Sequence, residues 1–286
     1  MMKRKYWVLG LLVAVLILPA GVIAAENEVT QLEDVVVTVT RTETPLEKIG
    51  GGSVTVITAE DIEAKKMNTV VDVLKEVPGI DVISNGGLGA LSNVSIRGAD
   101  VKNTLVLVDG VIYNDISAVN GVADLSILTL ENIDRIEVVR GPMSVMYGSK
   151  ATAGVINIIT KKGKGKPSVH AGYEYGSYNT WKAYGGASGA INKFNFSLSA
   201  SRTETDGFSA ADDDNDKIPH AGNTSEDDGW ENTSVSGLIG FEITPDFDIS
   251  ANLRYLDSEI EYDDFAFGMY AGDRFTLDEF WNAVPD

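Results

Sequence analysis

Two stretches near the C-terminal end alternate apolar and polar residues without a break. Phe194, Phe196, Leu198 and Ala200 alternate with Lys193, Asn195, Ser197, Ser199 and Ser201, and Phe247, Ile249, Ala251, Leu253 and Tyr255 alternate with Asp248, Ser250, Asn252 and Arg254. Successive side chains on a strand point to opposite faces, so a period of two predicts a β-strand with one apolar face. Weaker alternation runs through 169–175, 181–187 and 235–243. Five strands result, each of roughly nine to eleven residues, the length a tilted strand needs to cross hydrocarbon. Residues 189–192 and 244–246 are expected to be tight turns, while 202–233 and 257 onward are long. Short turns on one side and long loops on the other describe a transmembrane barrel. A soluble β-sandwich satisfies the same alternation. Five strands cannot close a barrel in lipid, because open edges leave backbone groups unpaired. The chain is therefore expected to stop partway round the barrel, at Asp286.

The N-terminus favours the barrel over the sandwich. Lys3, Arg4 and Lys5 precede an apolar run from Val8 to Leu18, and Val22, Ile23 and Ala24 supply a cleavage site, which reads as a secretory leader over 1–25. The run is too short to span a bilayer as a helix. Removing the leader takes the formal net charge from −19 to −22, which argues against nucleic acid as a partner. The chain has no cysteine, so disulfides and thiolate chemistry are excluded.

Between leader and strands lie a polar segment (26–45), a mixed α and β region (46–162) and a Lys-rich linker (163–167) before the strands of 168–286. Thr58 with Asp61, and Thr69 with Asp72, have capping-box spacing. Val70, Val73, Leu74 and Val77 recur at helical spacing until Pro78-Gly79 stops them. Strands are expected at 53–58, 80–84, 93–97, 104–108, 135–139 and 154–160, and Asp109-Gly110 between TLVLV and VIY predicts a hairpin.

The order DVVVT, SVTVITAEDI, VLKEVPGI, NVSIRGAD, TLVLVDGVIYND and RIEVVRGPMSVMYGSKATAGVINIITKK resembles the plug of TonB-dependent outer-membrane receptors, from about Asp34 to Lys162. Ala153-Gly154 stands where that family usually has two glycines. Asn120 to Ser126, NGVADLS, further resembles its cobalamin-receptor branch. The fold class implied is an α+β plug followed by the first strands of an antiparallel transmembrane β-barrel, incomplete in this chain.

The resemblance assigns roles to residues that spacing alone leaves open. Asp34, Val35, Val36, Val37, Thr38 and Val39 are similar to a TonB box, a strand that the periplasmic domain of TonB pairs with by strand addition, where β-branched residues suit backbone-driven recognition. Without it, the segment reads equally well as a first plug strand. Arg97 and Arg140 could be turn residues; the resemblance makes them a network with inward-facing wall carboxylates, for which Glu174 and Glu242 have the right parity. The plug apices at 84–93 and 112–122 would face the ligand, with Asn85, Leu88, Tyr113, Asn114 and Asn120 as contacts. Asp109-Gly110 and Tyr147-Gly148 are read as loop-shaping.

The loop 202–233 carries ten acids: Glu204, Asp206, Asp212, Asp213, Asp214, Asp216, Glu226, Asp227, Asp228 and Glu231. A solvated face accounts for them. Asp212, Asp214 and Asp216, with Asp227 and Asp228, also offer hard oxygen ligands at spacing suited to calcium, although no EF-hand is formed. Calcium is the only cofactor implied, with none covalent. His170 and His220 form no triad, and Gly148 to Gly154 is no phosphate loop, so no enzyme is expected. The expected function is import of a scarce metal complex across the outer membrane of a Gram-negative bacterium by a monomer driven by TonB. Cobalamin is the first ligand expected, with a ferric siderophore or haem as alternative, and a passive porin or adhesin as the reading of another class.

Overall fold

The computed structural model describes residues 36–37, 44–45, 54–115, 118–208, 229–244 and 247–261. The leader lies outside them. At the N-terminal end, β1 (Val36–Val37) pairs antiparallel with β2 (Thr44–Pro45).

Residues 54–160 form the plug. Its sheet has the order β3-β8-β9-β6-β7, from β3 (Val54–Thr58), β6 (Thr104–Val108), β7 (Val111–Ile112), β8 (Ile133–Arg140) and β9 (Gly154–Thr160). A separate hairpin joins β4 (Ile80–Ser84) to β5 (Ser92–Ile96). Only β6 and β9 run parallel, and both are buried along their whole length. Their largely apolar sequences, TLVLV and GVINIIT, are what burial on both faces requires, with Asn157 the polar residue in the interior of the run.

One face of the sheet carries helix α2 (Val70–Lys75), whose Val70, Val73 and Leu74 pack with Ile96, Val106, Ile136 and Ile156. Helix α1 (Ala59–Ala64) starts with both halves of the expected capping box: the Thr58 hydroxyl accepts from the Asp61 amide at 3.3 Å, and the Asp61 carboxylate accepts from the Thr58 amide at 3.0 Å. At α2 only the Thr69 half is present, accepting from the Asp72 amide at 3.1 Å. The opposite face holds Leu105, Leu107, Val139 and Val155 against Met143 and Tyr147. Glu137, fully buried, accepts from Arg135 Nε at 2.9 Å. Burying an acidic side chain costs less when it is hydrogen-bonded.

The wall follows: β10 (Ser168–Tyr175), β11 (Trp181–Ile191), β12 (Phe194–Thr205), β13 (Trp230–Thr244) and β14 (Phe247–Ile260), each antiparallel to the next. Several boundaries differ from the sequence expectation: β12, β13 and β14 run to 12, 15 and 14 residues, and β14 continues to Ile260 where a loop is expected from 257. Gly189, Ala190 and Ile191 are strand rather than turn, pairing with Phe196, Asn195 and Phe194, and the turn is Asn192-Lys193 with Asn192 at φ 54°. Likewise Glu204 and Glu231 sit on β12 and β13, opposite one another, rather than in the long loop. Backbone pairing there continues past the point where the alternation of hydropathy stops.

The register sets the wall out as rows. Ala171, Gly185, Ala200, Val235 and Tyr255 share one outward row, and Val169, Ala187, Leu198, Gly237 and Leu253 the next. Below them come Phe196, Ile239 and Ala251, then Ile191, Phe194, Phe241 and Ile249. Leu253 is 76% exposed, Val169 74% and Ile239 58%. A contiguous outward apolar band of this kind is the lipid face of a barrel. Above it the row Trp181, Glu204, Glu231 ends the apolar surface, with Arg202 donating to Glu204 at 3.1 Å and to Glu231 at 2.8 Å. The inward rows are polar, including Ser197, Ser199, Ser201, Thr203, Asn232 and Ser236, all buried, with Ser197 and Asn232 hydrogen-bonded to the plug.

Candidate ligand face and plug–wall seam

The hairpin tip 85–91 is held from within and from the wall. Asn85 donates its amide to Leu91 O at 3.1 Å, and Ser92 Oγ donates to Ala90 O at 2.8 Å. Gly89 has φ 82°, and a Cβ there would fall 2.3 Å from the Trp230 ring, so the glycine is required both by conformation and by the indole packed on it. This places the tip at the end of the wall where β13 begins. Asn85 and Leu88 are exposed there, Leu88 at 40%.

The second apex, 112–122, divides its expected contacts. Asn120 is exposed with φ 63°. Tyr113 is partly buried on the main core; burial, and then the Asp124 carboxylate, push its phenol up to about 12, with Arg254 of the wall opposing. Asn114 is a correction: it is buried and does not face a ligand. Its Oδ1 accepts from the Val106 amide at 2.8 Å, and its Nδ2 donates to Thr104 O at 3.3 Å and Gly121 O at 3.2 Å. The side chain braces the loop onto β6, and a short polar residue after a hairpin gives no sequence signal separating bracing from display.

The arginine network is also corrected. Arg97 and Arg140 flank Gly79, and Arg140 Nη1 donates to Pro78 O at 3.0 Å. Among the described residues neither pairs with Glu174 or Glu242, both of which are exposed. The ion pair across the seam has the opposite polarity, Lys182 of β11 with Glu131 of the plug. Around it, Ser197 Oγ donates to Asn132 Oδ1 at 3.2 Å, and Asn232 Nδ2 to Ile127 O at 3.2 Å. Segment 127–132 is thus the plug's docking strap. Its only charge pattern in sequence is one glutamate, Glu131, which nothing local singles out.

Asp109 does more than shape a turn. With φ 51° it and Gly110, at 79°, form the expected hairpin, and its carboxylate also accepts from the Thr160 amide and hydroxyl, both at 2.8 Å, and from Asn252 Nδ2 at 3.0 Å. Tyr147 ends a short helix, α3 (Ser144–Tyr147), before Gly148 at φ 82°.

Of the segment expected to be a TonB box, Val36 and Val37 are described as β1, whose partner is the chain's own Thr44-Pro45; Asp34, Val35, Thr38 and Val39 lie outside the described residues. So do Asp212, Asp214, Asp216, Asp227 and Asp228. Among the described residues no group of three or more His, Cys, Asp or Glu side chains could hold a metal.

Comparison with known proteins agrees with this architecture. The TonB-dependent Receptor Plug Domain matches residues 49–155. The chain is 33% identical over 261 residues to the vitamin B12 transporter BtuB of Photobacterium profundum, covering 91% of this chain and 41% of that protein. It is 34% identical over 254 residues to BtuB of Vibrio vulnificus, covering 89% and 40%. The chain therefore spans about two fifths of the length of these relatives. Among solved structures, the siderophore receptor PirA from Pseudomonas aeruginosa superposes with a TM-score of 0.53 at 27% identity, over 73% of this chain and 34% of that one. With a plug of this topology docked against an up-and-down wall whose outer face is apolar, the chain belongs to the family of TonB-dependent receptors.

Proposed function

We propose that this chain is the plug and first wall strands of a receptor that imports cobalamin or a related corrinoid across the outer membrane, drawing energy through TonB. The observation that carries the ligand class is the likeness to two vitamin B12 transporters along 91% and 89% of the chain. Ligand settles between the outer loops and the apices, against Asn85, Leu88 and Asn120, with Tyr113 behind. The leader delivers the chain to the periplasm, and the box segment offers TonB a strand edge. Backbone pairing supplies the grip in such strand addition.

A ferric siderophore is the second reading, favoured by the likeness in fold to PirA. Direct binding of cyanocobalamin and of a panel of ferric siderophores to the receptor in outer membranes separates the two. Uptake with the proton gradient collapsed separates both from a passive pore. Calcium bridging Asp212, Asp214 and Asp216, with Asp227 or Asp228, belongs to the same proposal. Equal ligand affinity in chelator and in millimolar calcium would remove it.

A further inference from the structure

The apex 112–122 is closed by a clamp that the plug motifs do not announce. The carbonyl of Gly121 accepts from two side chains, Asn114 Nδ2 at 3.2 Å and Lys150 Nζ at 3.1 Å. Asp115 donates its amide to Val122 O at 3.0 Å, and Gly121 its own amide to Ala118 O at 2.9 Å. Asn120 and Gly121 are consecutive left-handed residues, φ 63° and 59°, which turns Asn120 outward while the Gly121 carbonyl points into the plug. A Cβ on Gly121 would lie 2.2 Å from Lys150 Nζ, so the ammonium occupies the space a side chain would take.

The two arms of the clamp come from different places. Asn114 belongs to the loop itself and is tied to β6 through Val106 and Thr104. Lys150 comes from the far side of the sheet's course, in the turn Ser149–Ala151 after α3. That turn is rigid: Ala151 is fully buried in the second core cluster, its carbonyl accepts from the Met143 amide at 2.8 Å, and the Ala153 amide donates to Asn103 O at 3.0 Å. A cation donating to a carbonyl makes a stronger bond than a neutral donor does. The half-buried position of Lys150 limits competition from water.

We infer that Lys150 is a positioning residue for ligand recognition: it clamps the Gly121 carbonyl and so fixes the apex that presents Asn120. The role in binding rests on the function proposed above, whereas the clamp itself does not. Lys150 need not touch ligand. Without its donor, the Gly121 carbonyl keeps only Asn114 as a side-chain partner beside the backbone bonds of the loop, and the apex opens locally more often.

The test uses the receptor in isolated outer membranes for exchange and binding, and in intact energised cells for uptake, with Lys150→Met, which keeps the stem and removes the donor, and Lys150→Arg, which restores charge and donors. Without ligand, amide exchange at Asp115 and Gly121 should quicken about tenfold or more in Lys150→Met, as expected for loss of a charge-assisted bond. Lys150→Arg should stay close to wild type. With cyanocobalamin, Lys150→Met should raise Kd several-fold and leave maximal uptake within about twofold, because the apex is harder to organise and the energised step is untouched. A purely structural role would lower the amount of folded receptor and the maximal rate together. Exchange in Lys150→Met at the wild-type rate overturns the clamp; faster exchange with unchanged Kd overturns its part in recognition. If the wild-type receptor does not bind cyanocobalamin, the cobalamin reading fails alone, and the exchange comparison still decides the clamp.

Discussion

Lys182 on the inner face of the wall and Glu131 on the plug form an ion pair whose side chains are 13% and 5% exposed. The second carboxylate oxygen, Glu131 Oε2, is buried with no hydrogen-bond partner among the described residues. Much of the pair's value therefore depends on the Lys182 contact, since either charge left alone in this seam would be poorly solvated.

Removing one partner should be costly and removing both should not. Lys182→Met is expected to destabilise plug docking by roughly 3–5 kcal/mol, and Lys182→Met with Glu131→Met to recover most of it. Urea melts of the receptor, read by protease access to the linker 163–167, provide the measurement. Equal midpoints for wild type and the single variant would show that the pair holds nothing.

The tyrosine at the second apex gives a pH prediction. Its folded value of about 12 lies above the ordinary value of 10.0, so the neutral phenol is favoured by folding. The contribution is intact below pH 10 and is lost as pH rises toward 12. Tyr113→Phe should therefore flatten the alkaline loss of plug stability, and tyrosinate absorbance should lose one late-titrating component relative to the wild type. A variant melting profile that falls in parallel with wild type over that window would contradict the assignment.

Gly89→Ala should disturb the first apex without touching the plug core. The added methyl meets the indole of Trp230 at 2.3 Å and the left-handed backbone resists it, a combination expected to cost about 1–3 kcal/mol locally. Ligand affinity should fall while maximal uptake is retained. Unchanged affinity would mean that tip 85–91 takes no part in recognition.

Val36→Pro in the box removes a backbone donor and distorts an added strand. Binding at the cell surface should persist while energised uptake is lost. Normal uptake in this variant would end the pairing role. Because Val36 is paired with Pro45, strand addition at this segment would use the other edge of β1 or displace β2.

Elements were legible in this sequence wherever one physical cause dominated. Val70, Val73, Leu74 and Val77 face a single core, so helical spacing located them, and all are buried at 4% exposure or less. The wall strands were found by alternation, yet their ends were not: Glu204 and Glu231 remain paired after the lipid no longer demands apolar residues. Site residues were harder. The display of Asn120 and the burial of Asn114 differ by six positions and by nothing in composition, since only the path of the loop decides which amide meets the Gly121 carbonyl. Lys182 and Glu131 are fifty-one residues apart and meet only because the plug is seated against β11.

The polar inner rows of the wall have a mechanical consequence. Ser197, Ser199, Ser201 and Thr203 are buried hydroxyls on the inner face, and the described contacts across the seam include single bonds such as Ser197–Asn132, Asn232–Ile127 and Asn252–Asp109. Parting such surfaces exposes little oil to water, and each neutral bond lost is replaced by one to solvent at a net cost of about 1 kcal/mol. A steady tug on one end of the plug would load these fasteners in turn rather than all together. The seam behaves as a lubricated bearing, with Lys182–Glu131 as a stiff rivet through it.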